Sequence, residues 1–186
     1  MSLENTRSDE EILSAFDDPS KRELALTWLV HRDQKKIYWF IRRMVIDHED
    51  ANDLVQEVFI KVWNNISTFR KESRLIYWIY RIATNLTLTF LEKKKRKSWI
   101  PLLQVEDDLL NKLHSGKYIN GDAIQINLQE AILTLPEKQR VVFQLRYYDE
   151  IPYQEMSDML GTSVGALKAS YHHAAKKIEK YMIDHQ

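Results

Sequence analysis

The chain has no cysteine among its 186 residues, and that absence removes a disulfide framework, a thiolate metal site and a cysteine nucleophile. A cytoplasmic setting is the expectation that accords with it. Glycine and proline are scarce, with 4 of each, too few for the many turns of an all-β chain. No run approaches the roughly 18 apolar residues of a membrane span. The opening "MSLENTRSDEE" is polar and acidic, without the apolar stretch of a secretory leader. Neither secretion nor membrane insertion is expected. Net charge is missing too: 27 Lys and Arg balance 27 Asp and Glu, which argues against a free-standing electrostatic binder of DNA. What is present is 44% hydrophobic and 29% charged residues, the composition of a globular chain.

From about Glu10 to Lys97 the pattern is helical, with no glycine and with Pro19 as the only proline, and three or four helices fit it. The run "KKKRK", Lys93 to Lys97, closes this block. Ser98 to Asn127 holds Pro101, Gly116, Gly121 and an acidic "VEDD" with little periodicity, the texture of a linker with one short helical turn. Helical pattern returns from Leu128, Pro136 suits a helix start, and "DEIP" breaks the chain again. The expected architecture is all-α: two small helical domains, at 1–97 and 128–186, joined by a flexible linker at 98–127.

Three surfaces stand out. In "DLVQEVFIKVWNNI" the residues Leu54, Val55, Val58, Phe59, Val62 and Ile66 form the buried arc of a helix. Asp53, Gln56, Glu57, Ile60 and Asn64 lie opposite. An isoleucine framed by carboxylates and amides is either an incidental exposed residue or part of a protein-binding face. In "FRKESRLIYWIYRIATNLTLTFLEKKKRK" the expected core arc is Ile79, Ile82, Ala83, Leu86 and Phe90, and the facing arc is Tyr77, Tyr80, Arg81, Thr84 and Leu88 with Asn85 at its edge. Aromatics interleaved with arginine, hydroxyl and amide beside a basic run suit a platform for single-stranded nucleic acid. Trp78 reads instead as packing against neighbouring helices.

The third surface is "YQEMSDMLGTSVGALKASYHHAAKKI". Tyr153, Met156 and Leu160 sit at helical spacing, Gly161 is suited to a left-handed closing residue, and Thr162 and Ser163 offer N-caps. Val164, Leu167, Tyr171, Ala174 and Ile178 then form a buried stripe, and Gly165, Ala166, Ala169, His172, His173 and Lys176 the opposite arc. Helix, short turn with glycine, helix is the helix-turn-helix pattern, although many helical hairpins share it and bind nothing.

Enzyme chemistry finds no support. The sequence has six histidines, but the adjacent His172 and His173 diverge by about 100° on a helix and form no i, i+4 metal pair. No phosphate-binding glycine loop or zincin pattern occurs. No catalytic residue, metal site or cofactor is expected.

With these segments in hand, the chain resembles an extracytoplasmic-function sigma factor of the sigma-70 family, the promoter-recognition subunits of bacterial RNA polymerase. "DANDLVQEVFIKVW" resembles the family's region 2 core-binding helix, "FRKESRLIYWIYRIATNL" the segment that recognises and opens the downstream (−10) box, and "LPEKQRVVFQLRYYDEIPYQEMSDMLGTSVGALKASYHHAAKKI" the region 4 helix-turn-helix that binds the upstream (−35) box. The three stand in the family's order with a linker between them. The resemblance implies that Asp53, Gln56, Glu57, Ile60 and Asn64 dock on the clamp helices of core polymerase. Lys71, Ser73, Arg74, Tyr77, Tyr80, Arg81, Thr84, Asn85, Lys93 and Lys94 would meet the downstream box. Ser163, Ala166, Lys168, Ala169, Ser170, His172, His173 and Lys176 would meet the upstream box. The linker would thread toward the active-site cleft and RNA exit path, and an anti-sigma protein, which holds many family members inactive, is a further implied partner. A short acidic start agrees with the family's lack of a long N-terminal inhibitory region.

The sequence departs from the family pattern in places. Where Thr-Val-Lys-Ser-Arg is common in the recognition helix, this chain has Ala166-Leu167-Lys168-Ala169-Ser170, and His173 and Ala175 stand where arginines are usual. Arginine's bidentate reach to guanine is therefore missing from mid-helix, which shifts the expected upstream readout toward methyl contacts, histidine, phosphate anchoring and DNA shape. Lys71 replaces a common glycine. The competing reading is a free-standing helix-turn-helix regulator.

Overall fold

The computed structural model describes residues 7–97 and 123–185. Among them every regular element is helical. The first half holds α1 (Asp9–Asp17), α2 (Arg22–Val45), α3 (His48–Asn65), a 3₁₀ turn (Ile66–Thr68) and α4 (Leu75–Lys97). The second holds α5 (Ala123–Leu133), α6 (Glu137–Tyr147), α7 (Tyr153–Leu160) and α8 (Val164–Asp184).

Local chemistry sets the helix ends. Ser8 and Glu11 cap α1 reciprocally: Glu11 N–H donates to Ser8 Oγ at 3.1 Å, and Ser8 N–H donates to the Glu11 carboxylate at 2.9 Å. Asp47 accepts from the backbone N–H groups of Glu49 and Asp50, starting α3. Asp9 of α1 accepts from Leu75 N–H at 2.8 Å, so one helix caps the start of another 66 residues away. Helix α2 ends at Ile46, whose φ of 64° is left-handed, a conformation that disfavours β-branched residues. Its side chain is 1% exposed, and that burial offsets the strain. Lys71, in the loop before α4, also has a left-handed φ of 60°, which explains why glycine is the easier residue there.

Helices α1 to α4 pack around Ile37, Phe40, Ile41, Val58, Val62 and Ile79, all fully buried. A smaller core of Ala131, Ile132, Leu135, Phe143, Ala174 and Ile178 joins α5, α6 and α8. The other apolar face of α6 (Val141, Val142, Leu145), with Ile151, Met156, Met159 and Leu167, belongs to the same buried cluster as the first half. The two halves therefore share a core instead of standing as separate bodies.

One boundary differs from the sequence pattern. Helix α5 begins at Ala123, inside the stretch expected to be linker, because the apolar Ala123, Ile124 and Ile126 continue the pattern of Leu128 and Ile132 N-terminally. Pro136 stands at the start of α6 as expected, as its N-cap, with Glu137 the first helical residue. The remainder of the expected linker, 98–122, lies outside the described residues.

Candidate polymerase-binding and DNA-binding surfaces

Helix α3 presents the face its periodicity predicts. Leu54, Val58, Phe59 and Val62 are buried, while Asp53, Gln56, Glu57 and Asn64 are exposed. Ile60 stands among them 59% exposed. Nothing described within the chain covers this stripe, and burying such a side chain fully is worth about 1.5–3 kcal/mol.

Helix α4 differs from expectation. Tyr77 is half-buried and Arg81 and Asn85 are exposed, but Tyr80 is 2% and Thr84 1% exposed. The buried stripe is Ile76, Ile79, Tyr80, Ala83, Thr84, Thr87 and Leu91, wider than a single contact produces, because α4 is covered by α2 and α3 on one side and by the second half on another. The placement of Tyr80 and Thr84 on an open arc is thus corrected in this arrangement. Tyr80 packs edge-on against Phe40, with ring centroids 5.5 Å apart, and its hydroxyl donates to Asp149 Oδ1 at 2.7 Å. Burial, with the Asp149 charge behind it, pushes the Tyr80 phenol well above its ordinary range.

Beside this stripe a cleft of about 700 Å³ opens between the loop before α4 and the helix itself, lined by Phe69, Arg70, Ser73, Tyr77, Trp78, Arg81 and Asn85 among others. Phe69 and Trp78 lie in tilted contact, 5.6 Å between centroids, and Arg74 sits 5.5 Å over the Tyr77 ring. Flat rings, amide and guanidinium groups around one cleft are what a base and its phosphate need. Of the basic candidates, Lys71 is exposed and 3.9 Å from Asp17, and Lys93 is exposed. Lys94 pairs with Asp50 at 2.9 Å, and the neighbouring Lys95 with Glu137 of α6, also at 2.9 Å.

The third surface has the predicted form. Gly161 ends α7 with φ 62°, its N–H donating to Ser157 O, and Ser163 caps α8 by accepting from Ala166 N–H at 3.3 Å. Leu167, Ala174 and Ile178 are buried; Gly165, Ala166, Lys168, Ala169, His172, His173 and Lys176 are exposed and Ser170 half-buried. The exposed arc carries small side chains at its N-terminal end, so backbone approaches a partner closely there.

Two family profiles match the chain: sigma-70 region 2 over residues 29–97 and sigma-70 region 4 over residues 125–178. The ECF RNA polymerase sigma factor SigW of Bacillus subtilis is 31% identical over 157 residues, covering 80% of this chain and 84% of that protein. The chain belongs to the extracytoplasmic-function sigma factors of the sigma-70 family. The RNA polymerase sigma-H factor of Pseudomonas aeruginosa is 28% identical, with 92% of each chain covered. Among solved structures, CnrH in complex with the cytosolic domain of CnrY matches with TM-score 0.67 at 19% identity, covering 96% of this chain and all of that one. The sigma factor RpoE of Bartonella quintana, in complex with the anti-sigma factor NepR, matches with TM-score 0.66 at 19% identity, over 84% of this chain and 95% of that one. At that identity the likeness concerns the fold.

As an alternative sigma factor the chain directs promoter recognition, and the region 2 match contains the α3 stripe and the α4 side of the cleft. Sequence reasoning missed Phe69 and Arg70 as cleft residues and set Trp78 aside as packing. Trp78 does pack, but on Phe69 at the cleft wall; an aromatic on each side of a polar loop was the available signal. It also missed that Glu155 and Asp158 of α7 line the same cleft. No helix among the described residues is long and apolar enough to cross a membrane.

Proposed function

We propose that the sigma activity is divided over the three surfaces. Asp53, Gln56, Glu57, Ile60 and Asn64 on α3 dock on core RNA polymerase. Lys71, Ser73, Arg74, Tyr77, Tyr80, Arg81, Thr84, Asn85, Lys93 and Lys94 engage the downstream box as it opens. Ser163, Ala166, Lys168, Ala169, Ser170, His172, His173 and Lys176 read the upstream box from the major groove. The modules that carry them run to Lys97 and from Ala123. The protein catalyses no reaction of its own and works in the cytoplasm, where core polymerase and promoter DNA are its partners. The likeness of fold to RpoE bound to the anti-sigma factor NepR supports a partner of that class here as well.

The observation that carries this reading is the open α3 stripe. A free-standing regulator needs the helix-turn-helix, but it has no use for a 59% exposed isoleucine in an acidic frame on a different helix. In the recognition helix, methyl groups at Ala166 and Ala169 suit contact with the thymine methyl, and Lys168 and Lys176 suit phosphates. The test is promoter retention in a gel: the protein alone should leave promoter DNA unshifted, and addition of core polymerase should produce a shifted complex with a melted downstream box. A sequence-specific shift by the protein alone would favour the free-standing regulator.

A further inference from the structure

A second cavity, of about 410 Å³, lies between α4 and the helix-turn-helix, and it shares Arg81, Asn85, Asp158 and Met159 with the cleft described above. A volume of this size holds a small molecule. Its α4 side is built by Arg81, Thr84, Asn85 and Leu88, which at i, i+3, i+4 and i+7 share one face of the helix. The opposite side comes from the second half: Lys138 and Val142 of α6, Met159 of α7 and Leu167 of α8. The interior is therefore mostly apolar, with polar groups at a few fixed points.

The protein leaves those polar groups unused. Thr84 is 1% exposed, and its Oγ1 has no hydrogen-bond partner although the residue lies on the cavity wall. A buried hydroxyl without a partner is destabilising, and native proteins seldom leave one so. A bound acceptor would repair it. Arg81 and Lys138 stand exposed at the rim, and neither forms an ion pair with another described residue. Asp158 is the one carboxylate among the described lining residues. Two cations thus face a single anion, and the excess favours a ligand whose head is negative.

We propose that this cavity binds a small carboxylic acid with an apolar body. The body lies against Leu88, Val142, Met159 and Leu167, and the carboxylate accepts from Thr84 Oγ1 while Arg81 and Lys138 balance its charge. Neither half makes the site alone, because α4 supplies the hydroxyl and the second half supplies the lysine and most of the apolar wall. Arg81, Thr84 and Asn85 also belong to the face proposed to meet the downstream box, so the acid and the promoter compete for them. That competition, though not the site itself, rests on the downstream-box reading. An acid of this kind acts on the sigma factor directly, as a repressing effector.

Octanoate is the probe, with octan-1-ol and octylammonium as the same body under a neutral and a cationic head. In the full-length protein, isotope-labelled at the methyls of its 5 methionines, octanoate should shift the Met159 resonance saturably. Octan-1-ol and octylammonium should bind about tenfold more weakly or worse, the effect of losing a charged hydrogen bond. Lys138→Glu, an exposed position outside the polymerase-binding and DNA-binding sets, reverses the rim charge and should weaken octanoate about tenfold while leaving octan-1-ol unchanged. Leu88→Trp fills the cavity from α4 and should abolish the shift; if that variant loses helicity, Lys138→Glu decides. Equal affinity for octanoate and octan-1-ol, octanoate binding that ignores Lys138→Glu, or a Met159 shift that never saturates overturns the site. Failure of the downstream-box reading looks different: octanoate binds the free protein as expected, yet promoter melting by holoenzyme assembled in its presence is undiminished in the parent and in Lys138→Glu alike.

Discussion

Helices α3 and α4 have similar length and the same kind of pattern, an apolar stripe against a polar one that holds an odd residue, yet their outer faces have different fates. The α3 stripe is open, with Ile60 59% exposed. The α4 stripe is partly closed over, with Tyr80 and Thr84 buried and Arg81 and Asn85 left out. Both helices pack within the same bundle, so the difference comes from the second half of the chain, which lies on α4 and leaves α3 alone. The α3 stripe, proposed to meet core polymerase, is open, whereas part of the α4 arc proposed to meet DNA is covered by the second half.

The comparison is broken most directly at Ile60. If α3 stays open because polymerase covers it, Ile60→Arg should weaken core binding by about 30-fold or more, the effect of losing a central interface residue worth ≥ 2 kcal/mol. Its helicity should match the parent, since the exposed side chain is no part of the buried core. A competition assay against the parent reads this, and equal affinity would remove α3 from the polymerase interface.

A smaller effect is expected on α4. Arg81 lies outside the buried stripe and on the cleft wall, so Arg81→Ala removes a charged hydrogen-bond donor, worth roughly 1.5–3 kcal/mol, without disturbing the core. Open-complex formation should drop about tenfold or more while initial promoter binding changes little. Permanganate reactivity of the melted strand is the readout; undiminished reactivity would sink the assignment.

The contrast also marks what the sequence can and cannot express. Periodicity made α3 legible because one contact face yields one stripe, and the Gly161 turn and Ser163 cap were legible because each answers a local backbone need. The start of α5 at Ala123 was not, since Gly121 and Asp122 just before it look like loop. The burial of Tyr80 and Thr84 was hidden for a deeper reason. A tyrosine and a threonine are as acceptable on a DNA-facing arc as in a polar interface, and for Tyr80 the deciding partner, Asp149, lies 69 residues away. The apolar part of the same contact, Val141, Val142, Leu145 and Met159, reads in the sequence only as a helix with two apolar faces.

The smallest expected effect is a pH dependence of the closed contact between the halves, read as the distance between spin labels at the exposed positions Gln34→Cys and Glu179→Cys, and it separates the Tyr80–Asp149 hydrogen bond from mere packing. Burial holds the Asp149 carboxyl above its ordinary 3.8, with Arg43, Tyr80 and Lys36 pulling the other way. The Tyr80 phenol is raised above its ordinary 10.0 by burial and by Asp149 and Asp33, against Arg43. For either group a raised value in the closed form means that closing favours the protonated state, so its contribution is complete below the ordinary pKa and fades as pH rises through the raised one. Asp149 therefore makes closure more favourable on acidification below neutral. Tyr80 makes closure less favourable above about pH 10, where the open form can ionise and the closed form resists. The label-to-label distance should be constant from about pH 7 to 9, then lengthen at higher pH while helicity is still intact. Tyr80→Phe should start with a slightly larger open fraction, about 1 kcal/mol for one hydrogen bond lost, and should lose the alkaline lengthening. An alkaline transition that survives in Tyr80→Phe would assign it to some other group and leave apolar packing, not the Asp149 bridge, as what holds the halves together.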